Sequence, residues 1–234
     1  MREKIRAGES IEIILSREEI ESIQELERPC ERIVQSIESE IEKGEYGLIL
    51  GEDSGGRIPA YILGHVLQSL SQKNNLVPPT VRFIAGADGL EELIQKIELR
   101  ALEHGGELKR ILFVTELISS GRTIQPIIEA CKKSGVKTDV ATIALNSKPP
   151  TVLGLQLGCR VVSGRLSPLG MKVPKILDST LTGVKKNRPN TLYAAQDPFS
   201  DDAKVRASRE IAVEIADRIV RRYILSRTTN QIWP

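Results

Sequence analysis

Residues 110–124 read Arg-Ile-Leu-Phe-Val-Thr-Glu-Leu-Ile-Ser-Ser-Gly-Arg-Thr-Ile, and no other stretch of the chain is as informative. Its four apolar residues, Ile111 to Val114, predict a buried strand, and residues 123–133 have the spacing of a helix. The polar turn between them carries one carboxylate, Glu116, and the small-residue run 119–121. Where a strand delivers such a turn to a helix N-terminus, backbone N–H groups converge and the helix dipole favours negative charge. The stretch therefore predicts a phosphate-binding turn with a carboxylate beside it.

The side chains of this turn add donors to the backbone. Ser119, Ser120 and Thr123 carry hydroxyl groups on either side of Gly121, and Arg122 carries a cation. A plain strand-to-helix connection is the alternative interpretation. The strand, the carboxylate and the Ser-Ser-Gly-Arg-Thr run together favour a functional site.

The surrounding sequence alternates predicted strands with predicted helices. Strands are expected over residues 46–51, 80–85, 111–114 and 138–145, and helices over about 59–71, 88–104 and 123–133. The order β-α-β-α-β-α-β predicts an α/β fold of the Rossmann-like kind, with a mostly parallel open sheet and helices on both faces.

Helical patterns flank this core on both sides. Residues 16–19 fit a capping box, and Pro29 is expected to split or kink the N-terminal helix that follows. Residues 201–227 predict a long amphipathic helix near the C-terminus. Between residues 146 and 200 the pattern is weak, with one strand expected near residues 159–162.

Composition places the chain among ordinary water-soluble globular proteins. Apolar residues make up 40% of it and charged residues 27%. The N-terminus lacks the apolar core of a signal peptide, so we expect a cytoplasmic protein. Its three cysteines are widely spaced and odd in number, which indicates reduced thiols.

Basic residues cluster in one segment, although the net charge is only +2. Residues 158–188 contain seven basic residues and one acidic residue, Asp178. Such a block is usually a solvated loop. The other interpretation is a rim that attracts an anionic ligand or RNA.

A second polar turn follows the first predicted core strand. It reads Glu-Asp-Ser-Gly-Gly-Arg over residues 52–57, and the helix with Pro59 in its first turn comes next. Ligands of open parallel sheets bind at the carboxyl ends of the strands. Both turns, 52–57 and 115–123, follow strands, so we expect them to face one cleft.

The segment from Ile111 to Thr123 resembles the phosphoribosyl-pyrophosphate (PRPP) signature of type I phosphoribosyltransferases. That signature has four apolar residues, two acidic residues, a short spacer and then Thr/Ser-Gly-x-Thr/Ser. The 51–57 turn resembles the loop with which that family contacts pyrophosphate. The resemblance covers about residues 45–145, and it implies a single phosphoribosyltransferase-like domain over residues 1–234. In this interpretation the N-terminal helices, 16–43, and a C-terminal hood and helix, 146–234, are attachments.

The resemblance assigns a role to each turn. It implies that the 119–123 turn (Ser119, Ser120, Gly121, Arg122, Thr123) holds the 5′-phosphate of PRPP and that Glu116, beside Thr115, binds the ribose hydroxyls. It implies that Glu52, Asp53, Ser54, Gly55 and Gly56 contact the pyrophosphate, which normally carries Mg²⁺. Asp53 and Glu116 are then the candidate metal ligands, and Glu116 and Arg57 the candidate catalytic residues.

Three features depart from the family pattern. Thr115 stands where the first acidic residue is usual, which weakens one ribose or metal contact. Ser119 stands where purine-specific members often have an aspartate. Glu52 and Asp53 place two carboxylates where pyrophosphate should dock, an arrangement that requires either a bridging Mg²⁺ or a turn that no longer binds pyrophosphate.

Two functions remain open at this point. The first is a Mg²⁺-dependent phosphoribosyltransferase, a pentosyltransferase of nucleotide metabolism that joins PRPP to an unidentified nitrogenous base and releases pyrophosphate. The second is a non-catalytic protein on the same fold that senses PRPP or a nucleotide, or binds RNA. The resemblance also implies a possible homodimer, whereas nothing in the sequence indicates a membrane partner.

Overall fold

The computed structural model of the protein describes most of the chain. The described residues are 14–52, 55–84, 90–103, 107–146, 148–166, 179–182, 184–186, 194–196 and 201–230.

Helices and strands alternate through the central part of the chain. The strands are β1 (Tyr46–Glu52), β2 (Thr80–Ile84), β3 (Arg110–Ile118), β4 (Lys137–Leu145), β5 (Arg160–Leu166), β6 (Val184–Lys186) and β7 (Ala194–Gln196). The helices are α1 (Arg17–Gln24), α2 (Glu27–Ser36), α3 (Glu38–Glu42), α4 (Arg57–Lys73), α5 (Leu90–Glu103), α6 (Gln125–Lys133), α7 (Pro150–Leu157), α8 (Ser179–Thr182) and α9 (Asp202–Asn230).

Five of the strands form one parallel sheet in the order β2-β1-β3-β4-β5. The predicted α/β class with a parallel sheet is therefore confirmed. The strand order reverses between β1 and β3, because the chain leaves β1 for β2 at one edge and then returns across β1 to β3. This reversal is the switch point at which open α/β sheets leave a crevice for ligands.

Two apolar cores cover the two faces of this sheet. The first core joins α4, α9 and the N-terminal helices to one face, with Ile49 and Val114 among its buried residues. The second joins α5, α6 and α7 to the other face, with Leu50 and Phe113 buried there. Alternation of side chains along each strand sends successive residues into opposite cores. The prediction of helices on both faces is confirmed.

Strand β3 is longer than the apolar run from which we predicted it. We predicted residues 111–114, whereas β3 continues to Ile118 and remains paired with β4 up to the Ile118–Leu145 rung. The polar residues Thr115 and Glu116 therefore lie in the strand itself. The following helix begins later than predicted, at Gln125 instead of Thr123, with a proline in its first turn.

The N-terminal helices follow the predicted signals with one shift. Ser16 and Glu19 form the capping box, in which each side chain bonds the other residue's backbone N–H. The break falls before Pro29, which lies in the first turn of α2. A proline is tolerated there because the first helical N–H groups have no intrahelical acceptor.

Ion pairs connect α9 to these helices. Glu27 accepts hydrogen bonds from Arg218 at 2.7 and 2.9 Å and pairs with Arg222 at 2.7 Å. Burial raises the pKa of Glu27, but the hydrogen bonds from the two arginines outweigh it and hold that pKa below its usual value. Although α9 is long, no helix in the described ranges is both long and apolar enough to cross a membrane.

A buried polar network closes the amino-terminal edge of the sheet. The Tyr46 hydroxyl donates to Asp139 at 2.7 Å, and Arg110 donates to Asp139 at 3.0 Å and to Glu45 at 3.0 Å. Burial raises the pKa of Tyr46, and the neighbouring Asp139 carboxylate raises it further. This network lies at the opposite end of the strands from the two polar turns, so its role is in the stability of the sheet.

Some of the other predictions from the sequence are confirmed, and some concern residues that the structure does not describe. The C-terminal helix is confirmed as α9, and the strand expected near residues 159–162 is β5. The proposed helix cap at Asp88 and the helix stop at residues 105–106 lie outside the described residues. Cys30 and Cys131 are buried and Cys159 is partly buried.

Candidate functional site

The carboxyl ends of β1 and β3 lie side by side at the switch point. Gly51 pairs with Val114 in the parallel register. One residue further along, the Thr115 hydroxyl donates a 2.8 Å hydrogen bond to the Glu52 carboxylate. Thr115 is buried, whereas Glu52 is only partly buried and so reaches the edge of the sheet. Polar side chains thus connect the two strands where a crevice is expected.

Two glycines bring the turn after β1 against β3. A Cβ atom on Gly55 would lie 2.1 Å from Glu116 Oε2 and 2.9 Å from Glu116 Cβ. A Cβ atom on Gly56 would lie 2.3 Å from the Val114 carbonyl oxygen and 2.8 Å from the Glu52 nitrogen. The turn therefore folds back across the junction of β1 and β3, and only glycine allows its backbone to approach Glu116 so closely.

The turn after β3 has the backbone of an anion site. Gly121 has a φ of +80°, in the region that favours glycine, and its carbonyl accepts the N–H groups of Ile124 at 3.2 Å and Gln125 at 3.1 Å. Within the described part of the chain, the N–H groups of Gly121 and Thr123 donate no hydrogen bond to protein. Successive amides of this kind in a turn before a helix form a concavity for an anion.

The polar side chains of this turn face solvent. Ser119, Ser120, Arg122 and Thr123 are exposed, and the Ser120 hydroxyl accepts the Arg122 N–H at 3.4 Å. They are therefore accessible to a soluble phosphate. Glu116 is partly buried behind them, and its carbonyl oxygen accepts the Thr142 hydroxyl at 3.1 Å.

Helix α7 supports this turn, a feature that the sequence interpretation missed. Leu153 and Leu157 pack against Gly121, with the nearest methyl carbon 3.1 Å from where a Cβ atom would lie. Gln156 Nε2 donates to the Ser120 carbonyl at 3.2 Å, and Gln156 Oε1 accepts from Lys148 Nζ at 2.8 Å. The overlooked signal was Pro149-Pro150 before an apolar run that ends at Gly158, which adopts the left-handed conformation of a helix C-terminus.

Arg57, one of the two candidate catalytic residues, is the first residue of α4. Its guanidinium carbon lies 4.9 Å from the centre of the Phe83 ring, a cation–π contact. Phe83 is paired with Gly51, so Arg57 lies at the same edge of the sheet as Glu52 and Glu116. Asp53 and Ser54 lie outside the described residues.

The donor set at this edge fits a metal ion that arrives with its substrate. No cluster of three or more potential metal ligands occurs among the described residues, so these residues alone do not form a dedicated metal cage. Mg²⁺ usually takes one or two carboxylates together with substrate phosphates and water. Glu116 and Glu52 are carboxylates at the crevice, which fits that pattern.

The basic block of residues 158–188 is partly engaged within the protein. Arg160 pairs with Glu40 at 2.6 Å and donates to the Ser36 carbonyl. Lys172, Lys175 and Arg188 lie outside the described residues. Arg160 therefore contributes to packing against α2 and α3.

Comparisons with known proteins add little to this picture. No family model matches the chain, and no curated protein matches it. Among solved structures, the chain is similar to the crystal structure of a purine phosphoribosyltransferase from Pyrococcus horikoshii Ot3. The identity is 20%, the match covers 70% of this chain and 96% of that chain, and the TM-score is 0.32. The α/β architecture described above stands on the chain's own strand order and register.

Proposed function

We propose that the protein is a Mg²⁺-dependent phosphoribosyltransferase that uses PRPP and a nitrogenous base and releases pyrophosphate. One observation carries the proposal. The turn at Gly121, the carboxylate of Glu116 and the Gly55-Gly56 turn all lie where β1 and β3 end, at the switch point of the sheet. These three parts match the three parts of PRPP, which are a terminal phosphate, a pentose and a pyrophosphate.

The 119–123 turn would anchor the 5′-phosphate. The amides of Gly121 and Thr123, the exposed hydroxyls of Ser119 and Ser120 and the cation of Arg122 are the donors. Donors that are already in place for an anion need little reorganisation when the ligand binds. This part of the site is remote from the bond that breaks, so its binding energy would serve to hold the sugar in register.

Glu116 would hold the ribose. A carboxylate accepts charge-assisted hydrogen bonds from sugar hydroxyls, which are stronger than neutral ones. Positive charge grows on the ribose ring as the bond between C1 and pyrophosphate loosens, and a nearby carboxylate favours that charge. Glu116 would thus both orient the sugar and stabilise the transition state.

The part of the turn after β1 from Gly55 to Arg57 would receive the departing pyrophosphate. The Gly55-Gly56 backbone lies against the end of β3, beside Glu116, and Arg57 supplies a cation at the same edge. Mg²⁺, when bound with the substrate, would neutralise charge on the leaving group, with Glu116 and Asp53 as its candidate protein ligands.

Pyrophosphate release tests this proposal. The protein is incubated with PRPP and Mg²⁺ and with purines, pyrimidines, nicotinate or xanthine as acceptors. We expect release with one acceptor class, and we expect Glu116→Ala to abolish it. Glu129→Ala is the matched control, because Glu129 is an exposed carboxylate on α6 that bonds only Gln125 among the described residues.

The second candidate is a PRPP- or nucleotide-sensing protein without turnover. Thr115 favours it, because the usual acidic residue is absent and the hydroxyl there is bonded to Glu52. Intact PRPP binding with no release for any acceptor would support the sensor. RNA binding would show a steep loss of affinity with salt, and a flat salt dependence would exclude it.

A further inference from the structure

A hydrogen bond between the side chains of Thr115 and Glu52 joins β3 to β1 at the switch point. Thr115 is 1% exposed, and its hydroxyl is 2.8 Å from Glu52 Oε2. A buried hydroxyl that donates to a carboxylate fixes the position of that carboxylate. Glu52 is therefore held in place, and is not a flexible surface charge.

The alternation of side chains shows on which face this carboxylate lies. Phe113 packs in the second core and Val114 in the first. Thr115 follows the face of Phe113, and Glu116 follows the face of Val114. The side chains of Thr115 and Glu116 therefore project to opposite sides of the same strand end.

Glu52 lies on the Thr115 side. Leu50 packs in the second core, so Glu52, two residues later in β1, projects toward that face as well. Its carboxylate consequently lies within hydrogen-bond reach of the place where an acidic side chain at position 115 would project. A second carboxylate at 115 would stand against Glu52 as a like charge, which disfavours ionisation of both. Threonine removes that conflict and supplies a donor instead.

We infer that Glu52, positioned by the Thr115 hydroxyl, is the partner of Glu116 in binding the vicinal hydroxyls of the pentose. The inference rests on the proposed function and moves Glu52 from the pyrophosphate turn to the sugar. Each carboxylate would accept one hydroxyl from its own face of the strand ends. Thr115 is a positioning residue, because it acts on the sugar only through Glu52.

Calorimetry with two sugar phosphates tests the inference without turnover. The full chain is titrated with ribose 5-phosphate and with its 2-deoxy and 3-deoxy analogues, each of which lacks one hydroxyl of the pair. Wild-type protein should prefer ribose 5-phosphate by about tenfold or more, the range of a charge-assisted hydrogen bond. Glu52→Gln should reduce this preference. Its affinity for pyrophosphate should stay within about threefold of the wild-type affinity, a smaller change than the loss of a charge-assisted hydrogen bond would cause.

Two substitutions at position 115 separate positioning from packing. Thr115→Val keeps the shape but loses the donor, so the ribose preference should fall by about three- to tenfold. Thr115→Ser keeps the donor and should retain the preference. The double variant Glu52→Thr with Thr115→Glu exchanges the two groups and should recover more of the preference than Thr115→Val does.

The outcomes are distinguishable. If wild-type protein does not bind ribose 5-phosphate, the proposed function fails, and the inference fails with it. If wild type binds but Thr115→Val keeps the full ribose preference, only the inference is overturned. It is also overturned if Glu52→Gln loses pyrophosphate affinity and leaves the sugar preference unchanged.

Discussion

The substitution Gly55→Ala tests whether the close approach of the first turn to Glu116 matters for ligand binding. Gly55 does not have a positive φ, so alanine fits its backbone conformation. The added methyl group, however, would lie 2.1 Å from Glu116 Oε2 and 2.9 Å from Glu116 Cβ. Rotation of the Glu116 side chain relieves the contact with Oε2, whereas the contact with Cβ requires a small shift of the backbone as well.

The expected changes in stability and in PRPP affinity follow from the interactions that Glu116 loses. An off-rotamer side chain costs about 0.5–1.5 kcal/mol, so the free energy of unfolding should fall by at least about that amount, and the backbone shift adds to it. If Glu116 holds the ribose, the displaced carboxylate also forfeits charge-assisted hydrogen bonds of about 1.5–3 kcal/mol. Affinity for PRPP should therefore fall roughly 10- to 100-fold. Calorimetry with PRPP and Mg²⁺ measures the affinity, and thermal unfolding measures the stability.

Two other glycines serve as controls. In Gly56→Ala the methyl group would lie 2.3 Å from the Val114 carbonyl oxygen, which is backbone, so this variant should unfold far more easily than Gly55→Ala. Gly135→Ala meets nothing within 4 Å but has a φ of +74°, so it should lose about 1–2 kcal/mol of stability and no affinity. Wild-type PRPP affinity in Gly55→Ala would refute the placement of Glu116 at the ligand.

Three further predictions concern single groups. The pKa of Tyr46 is raised in the folded state, so its contribution to stability is present below the ordinary value of 10.0 and is lost as pH rises above it. The free energy of unfolding of Tyr46→Phe, measured with denaturant, should not show this alkaline loss. An equal loss in both proteins would contradict the prediction. The pKa of Glu27 is lowered in the folded state, so its contribution to stability is present above the ordinary value of 4.5 and is lost as pH falls below it. The difference in stability between wild type and Glu27→Gln should therefore shrink in acid. A constant difference would count against the ion pairs with Arg218 and Arg222. Gly121→Ala places a side chain at a φ of +80° and against Leu153, so it should lower the stability by about 1–2 kcal/mol. It should also weaken the binding of inorganic phosphate, which calorimetry measures. Unchanged phosphate affinity would argue against an anion site at this turn.

The sheet could be predicted from the sequence because its signals are local. Buried strands such as Ile111–Val114 are short apolar runs, and each is followed by glycine or by polar turn residues. Their alternation with helical patterns leaves few topologies other than a parallel sheet. The ends of the elements were less predictable. β3 continues through Thr115 and Glu116 because its pairing with β4 continues, and that pairing is not visible in the residues of β3 alone.

Only the local part of the candidate site could be predicted from the sequence, because its other contacts join residues that are distant in the chain. The sequence places Glu116 and Gly121 near strand ends, but the contact of Gly55 with Glu116 depends on the lateral order of β1 and β3. The bond from Thr115 to Glu52 joins residues 63 positions apart and could not be inferred from either turn. Support of the phosphate turn by Gln156 was missed because α7 is short and lies in a region rich in proline and glycine.

A crystal structure of the protein with PRPP and Mg²⁺ tests the central claim most directly. We expect the 5′-phosphate against the amides of Gly121 and Thr123 and the ribose hydroxyls within hydrogen-bond distance of the Glu116 carboxylate. A ligand bound elsewhere, or a Glu116 side chain that points away from the sugar, would contradict the account.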